Sequence, residues 1–234
     1  MADDLGKREL AKAERRSRIV KAARDLIRET GDTDLSMRML AQRAEVSLST
    51  PYNLFGSKRA VVLAVLEDER DLVQRFRRLE TSNSIEKMFS AHELAFSYYT
   101  NDPDFYRTLW RALLSTTSED DMGLATPKRL AQTRAIWRQL VQDIADDGYL
   151  GSIISVDLLL QAMSHVTGGA LLSWAMGSQS TAHLTPSVGL GYALCLSGGA
   201  TDAGRGLLAN YVETYQQALG DFTPSELLRS SETF

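Results

Sequence analysis

Apolar residues in this chain recur at intervals of three and four, the spacing that gathers them on one side of an α-helix. Nowhere do they alternate for the length of a useful strand. Ile19, Ala22, Ala23, Leu26 and Ile27 form such a stripe within a helix read over Glu14–Thr30, with Gly31 placed to end it. Residues 1–13 are charged and carry no stripe, so they read as a frayed arm whose Lys7, Arg8 and Lys12 could follow phosphate. Between Leu35 and Lys58 the pattern gives two short helices separated by a tight turn. Met39, Leu40 and Ala44 supply the apolar side of the first, with Ser36 as its N-cap; Ser47 is placed to cap the second. A fourth helix opens at Ser57-Lys58 and runs through Val61, Val62, Val65, Leu66 and Leu72 toward Leu79.

Thr81–Ser84 (TSNS) reads as a boundary, dividing the chain into residues 1–80 and 81–234. Past it the pattern predicts helices over Ser84–Thr100, Pro103–Thr116, Pro127–Asp146 and Ser155–Met176. Two more follow, from Pro186 to Ser197 and over Asp202–Leu219, and a polar loop covers 116–126. The expected fold class is therefore all-α. No internal repeat or heptad run is present.

Charge changes this picture. Residues 1–78 hold 17 Lys and Arg against 13 Asp and Glu, whereas residues 79–234 hold 9 against 17. A basic N-terminal third on an acidic body suits an approach to a polyanion by that third alone. The second short helix strengthens the point: Leu48, Ser49, Thr50, Tyr52 and Asn53 are small hydroxyl, amide and aromatic groups that reach phosphates and base edges. With 44% hydrophobic and 24% charged residues the chain has an ordinary globular composition, and its N-terminus carries no apolar secretory core. One cysteine, Cys195, excludes an internal disulfide and suits a reducing cytoplasm.

Catalytic patterns are wanting. His92-Glu93-Leu94-Ala95-Phe96 has phenylalanine where a zinc-binding H-E-x-x-H needs its second ligand. Gly198-Gly199 and Gly204-Arg205-Gly206 follow a helix and lack a phosphate-loop lysine. No cofactor or metal is expected, and an all-helical enzyme or a lipid or ligand carrier is the alternative reading.

From Leu158 to Thr201, 44 consecutive residues carry no Asp, Glu, Lys or Arg. Gln161, Ser164, His165 and Thr167 interrupt the run too often for a membrane hairpin. A helix pair that packs on a second copy fits better. Gly168 and Gly169 would allow close approach, and Leu171, Leu172 and Trp174 would supply buried area. Farther upstream, Phe89, His92, Phe96, Tyr99, Trp110 and Trp137, with Met163 as an adaptable wall, could line a cavity for a small hydrophobic or aromatic molecule.

These residues resemble the TetR family of bacterial transcriptional regulators. The likeness lies in Arg38-Met-Leu-Ala-Gln42, Val46-Ser47, Thr50-Pro-Tyr52, Phe55 and Ser57-Lys58, and it covers residues 14–66. It departs at Glu45, where a turn glycine is usual, and at Pro51, where a leucine is. The resemblance implies a repressor that binds double-stranded DNA at a palindromic operator as a homodimer and is released by a small effector. It gives Ser36 a cap and phosphate role and Arg38 a base-reading role. It puts Leu48, Ser49 and Asn53 toward bases, and Thr50, Tyr52 and Lys58 on the backbone. The interface between copies is implied to lie in the uncharged helix pair.

Overall fold

The computed structural model describes residues 2–68, 75, 76, 78–115 and 127–220. Among these residues it contains ten α-helices: α1 (Ala2–Thr30), α2 (Met37–Arg43), α3 (Ser49–Phe55), α4 (Lys58–Asp68), α5 (Ser84–Asn101), α6 (Pro103–Ser115), α7 (Pro127–Asp146), α8 (Val156–Ala175), α9 (Thr181–Ser197) and α10 (Asp202–Leu219). The fold is all-α, and its only β pairing among the described residues is an isolated bridge between Leu150 and Ala200. No described helix is long and apolar enough to cross a membrane.

The chain divides into two compact units. One comprises residues 1–71 and 104–129, the other residues 72–103 and 130–234. The single cut expected at residue 80 therefore does not describe the packing, because most of α6 belongs with the N-terminal helices. Three contacts show why. Arg59 donates to the Leu113 carbonyl at 2.6 Å, the Arg28 guanidinium lies 4.5 Å from the Phe105 ring centroid, and Thr108 donates to the Gly31 carbonyl at 3.5 Å.

In the first unit, Ile19, Ala22, Ala23, Leu26 and Ile27 are all buried. The arm expected over residues 1–13 is instead continuous with α1, which begins at Ala2. Helix formers such as Leu, Lys, Glu and Ala fill this stretch and extend the helix without needing burial, so its side chains from Gly6 to Leu10 stay exposed. Helix α2 is capped as expected, the Ser36 hydroxyl accepting from Met39 N–H at 3.1 Å. Leu40 and Ala44 are buried as expected and are joined by Met37 and Ala41, but Met39 is 41% exposed. A two-turn helix offers too few repeats to fix its phase from spacing alone.

The turn after α2 is a Schellman closure. Val46 N–H reaches the Ala41 carbonyl at 3.0 Å and Glu45 N–H the Gln42 carbonyl at 3.2 Å. Glu45 stands between them at φ +53°, the sole positive-φ non-glycine among the described residues. A side chain there costs about 1 kcal/mol of backbone strain. Glu45→Gly is accordingly expected to raise stability by about 1 kcal/mol, a thermal midpoint gain of roughly 2–4 °C. Differential scanning fluorimetry checks it, and an unchanged or lowered midpoint would count against strain at this turn.

In the second unit, α9 packs against α8, α10 and α5. Gly191 lets it approach α8: a Cβ there would fall 2.4 Å from the Val166 side chain. Gly189 does the same for α10, since a Cβ would fall within 2.4 Å of the Tyr215 ring. Helix α9 begins at Thr181, with the Ser180 hydroxyl accepting from His183 N–H at 3.2 Å, and not at Pro186 as the sequence suggested. Pro186 lies inside the helix and is buried; it forgoes one backbone bond in exchange for packing its ring.

Candidate nucleic-acid interface

Helix α3 is held from beneath and from one end. Pro51 is its buried residue and fills the place of an anchoring aliphatic side chain. Sitting in the first turn, it lacks only an N–H that has no intrahelical acceptor in any case. At the other end, the Arg16 guanidinium of α1 covers the Phe55 ring at 4.3 Å, and its Nη1 donates to the Leu54 carbonyl at 3.4 Å. Gly56, at φ +77°, then turns the chain out of the helix.

This anchoring leaves the opposite side of α3 open. Leu48 is 56% and Tyr52 55% exposed, Ser49 and Asn53 are exposed, and Thr50 is half-buried. Leu48, at the N-cap of α3, and Tyr52, on the helix, are thus exposed contact groups. Ser47 does not cap the helix as expected. Its hydroxyl pairs with the Thr50 hydroxyl at 2.7 Å and lies 3.2 Å from that of Ser49, so these three hydroxyls form a linked row at the start of α3. The Thr50 amide instead donates to the Ser47 carbonyl at 2.9 Å. On α2, Ser36 and Arg38 are both exposed.

Lys58 opens α4, whose first turn is capped by the Ser57 hydroxyl accepting from Ala60 N–H at 3.1 Å. Its ammonium is engaged, donating to Asp34 Oδ1 at 2.9 Å. That hydrogen bond, and then the charge behind it, lowers the Asp34 pKa below the usual carboxylate range. No local sequence rule points to this partner, 24 positions away. For Lys58 to hold a phosphate it must share or exchange Asp34, which leaves a carboxylate facing the polyanion. Asp34→Asn is thus expected to tighten binding to any duplex by roughly three- to tenfold at low salt, with the gain shrinking as salt rises. Fluorescence anisotropy against two unrelated duplexes measures it; equal affinity for the variant and the parent chain would remove Lys58 from the interface.

The remaining sequence candidates lie elsewhere. Phe89, His92, Phe96 and Tyr99 are buried together on α5. Phe89 stacks on Tyr211 at 3.9 Å, Tyr99 meets Trp174 edge-on at 5.6 Å, and Trp137 meets Tyr192 at 5.9 Å. Met163 is buried on α8. Trp110 is separate, belonging to the first unit. Tyr192, Tyr211 and Tyr215 were not singled out from the sequence, although the last two stand four apart on one face of α10. A cleft of about 580 Å³ is lined in part by Glu80, Lys87, Asp143, Asp146 and Asp147; it is acidic and holds none of these rings.

Of the residues expected between copies, Trp174 and Leu171 are buried within the protomer. The Trp174 indole donates to Thr181 at 3.0 Å. A helix with no charged side gives no hint of which face turns inward, so its two faces were confused. Gly168, Gly169 and Leu172 do lie on the exposed face, joined by Leu158, 63% exposed, and Met176, 61% exposed. Leu194 extends this uncharged surface on α9.

Residues 19–65 match the family model described as "Bacterial regulatory proteins, tetR family". The N-terminal domain is that of the tetR family. Solved structures with tetR-family fold extend the likeness along the chain. TylP, a TetR regulator from Streptomyces fradiae, shares 20% identity at TM-score 0.59, covering 88% of this chain and 98% of its own. Thermus thermophilus FadR, a TetR-family transcriptional repressor solved with lauroyl-CoA, shares 20% at 0.59, covering 78% and 94%. RolR, solved with resorcinol, shares 18% at 0.59, covering 92% and 99%. No curated protein matches the sequence. Residues 19–65 thus carry a tetR-type DNA-binding head, and the chain as a whole shares the fold of these solved structures.

Proposed function

We propose that the chain is a homodimeric repressor that binds a palindromic operator and leaves it when a small hydrophobic molecule enters the second unit. The observation that carries the DNA reading is the anchored α3, fixed through Pro51 and Phe55 with Leu48, Ser49, Tyr52 and Asn53 turned outward. In this reading α3 enters the major groove, Leu48, Ser49 and Asn53 meet base edges, and Arg38 on α2 reads a guanine. Ser36, Thr50, Tyr52 and Lys58 hold phosphates, the lysine at a helix start where free N–H groups assist.

One head makes too few contacts for a specific site. A second copy supplies the rest, its own α3 set about 34–36 Å away to meet the next turn of the same groove face. The uncharged surface of α8 and α9, with Leu158, Gly168, Gly169, Leu172, Met176 and Leu194 exposed, supports pairing there. The aromatic cluster around Phe89, His92, Phe96, Tyr99, Trp137 and Met163 is the effector site, entered as the rings move apart. FadR and RolR, whose structures hold lauroyl-CoA and resorcinol, favour an effector with apolar or aromatic bulk.

The test is a footprint on the DNA upstream of the chain's own coding sequence. Two protected half-sites, related by a dyad and centred about 10 base pairs or a multiple apart, are expected, with an affinity that falls steeply as salt rises. Equal affinity for this DNA and for scrambled duplex would overturn the reading.

A further inference from the structure

The aromatic cluster of the second unit contains a buried polar atom without a hydrogen-bond partner among the described residues. His92 is fully buried on α5. Its Nε2 lies 3.0 Å from the Thr185 carbonyl; a carbonyl only accepts, so Nε2 carries the proton and Nδ1 presents a bare lone pair. Nδ1 has no hydrogen-bond partner among the described residues.

The surroundings of this lone pair are rings. Phe96 lies 4.7 Å from the imidazole centroid, Tyr192 5.3 Å and Tyr215 6.1 Å, each tilted or edge-on. Both tyrosine hydroxyls are committed elsewhere. That of Tyr192 pairs with Thr167 at 2.6 Å, and that of Tyr215 donates to Glu93 at 2.8 Å. Neither is available to His92. Burial holds the imidazole pKa down at about 4, so the ring is neutral at physiological pH. A buried acceptor left bare costs free energy that an incoming donor returns.

Resting on the effector reading above, we propose that Nδ1 of His92 is the acceptor that selects the effector, and that the effector is an uncharged ring compound presenting one O–H or N–H. The rings of Phe96, Tyr192 and Tyr215 suit a flat or bulky apolar body. A carboxylate would meet a lone pair instead of a donor, with the Glu93 carboxylate nearby through Tyr215. An O–H or N–H meets the His92 Nδ1 lone pair, which has no partner among the described residues.

Three probes of equal ring size separate these outcomes: 1-naphthol, 1-methoxynaphthalene and 1-naphthoate, titrated into the protein. The chain has three histidines, so the ¹⁵N resonances of its imidazoles are few enough to assign by substitution. 1-Naphthol is expected to bind roughly tenfold tighter than its methyl ether, the worth of one neutral hydrogen bond, and to move the His92 Nδ1 resonance. 1-Naphthoate is expected to bind weakest. His92→Phe should erase the preference for naphthol over the ether while still binding both, whereas His92→Gln, which keeps an acceptor, should retain part of it. The resonance shift in the unaltered protein holds the test even where a variant fails to fold. Equal binding of naphthol and ether with an unmoved His92 resonance overturns the inference and leaves the effector reading standing. Failure of all three to bind at about 1 mM overturns both.

Discussion

Replacing Gly169 by arginine is expected to leave a folded protomer, abolish the proposed homodimer and weaken binding to the proposed operator by roughly 10²–10⁴-fold. The prediction separates packing within a protomer from packing between copies. Gly169 lies on the exposed side of α8, and a Cβ built there meets nothing within 4 Å, so the substitution strains nothing inside the protomer. Arginine is also a better helix former than glycine by somewhat under 1 kcal/mol. At an interface built from the stretch of these helices that is free of charge from Leu158 onward, the same side chain would force a guanidinium between two uncharged surfaces. The loss of DNA affinity follows from geometry, because two heads linked by the dimer bind as one ligand and two separate heads do not. Light scattering reads the mass, circular dichroism the helix content, and a gel shift the affinity. A variant that stays dimeric would place the contact between copies elsewhere.

Gly204→Ala is expected to destabilise the protein by about 3 kcal/mol, lowering its thermal midpoint by roughly 6–12 °C. Gly204 lies in the first turn of α10, where a Cβ would fall 2.2 Å from the Tyr149 carbonyl oxygen and 3.1 Å from its carbon. The obstacle is backbone, and it is tied in place. The same Tyr149 oxygen accepts from Thr201 N–H at 3.0 Å, Thr201 Oγ1 donates to the Gly148 carbonyl at 2.9 Å, and Gly151 N–H reaches the Gly199 carbonyl at 2.9 Å. Moving Tyr149 aside breaks this lacing between the α7–α8 and α9–α10 connections. Gly206, two residues on in the same helix, gives the contrast. Nothing lies within 4 Å of its Cβ position, so Gly206→Ala is expected to stabilise by up to about 1 kcal/mol. Opposite signs from one chemical change in one helix read directly in thermal melts. A mild effect at both positions would mean that the loop at Tyr149 yields easily.

The sequence made the helices legible wherever a polar face stood opposite an apolar one. In α1 the positions from Ile19 to Ile27 fell where the 3.6-residue period put them, and Ser36 announced its own cap. Legibility failed where that contrast was weak or where the deciding contact was distant in sequence. Helix α2 is too short to fix its phase, so Met39 was exchanged for Met37. Helices α8 and α9 have no charged side, so Trp174 read as surface while it packs on Tyr99 and Thr181. The start of α9 was placed at Pro186 because proline favours a first turn, yet Ser180 caps it a turn and a half earlier. At the candidate DNA surface the residue types were readable, but the Lys58–Asp34 pair spans 24 positions and follows from no local rule.

The placing of most of α6 with the N-terminal helices bears on how such a regulator can be recombined. The backbone crosses between the two units three times, after residues 71, 103 and 129. A chimera joined near residue 80, the natural seam by sequence, would carry α1 to α4 away from the helix whose Leu113 carbonyl receives Arg59 and whose Phe105 receives Arg28. The grafted head would meet a foreign α6 there, and its fit would depend on positions more than thirty residues beyond the splice. Exchange of heads between such regulators is then constrained as a pair of segments, and residues 104–115 would have to travel with residues 1–71 for the transplanted head to keep its own floor.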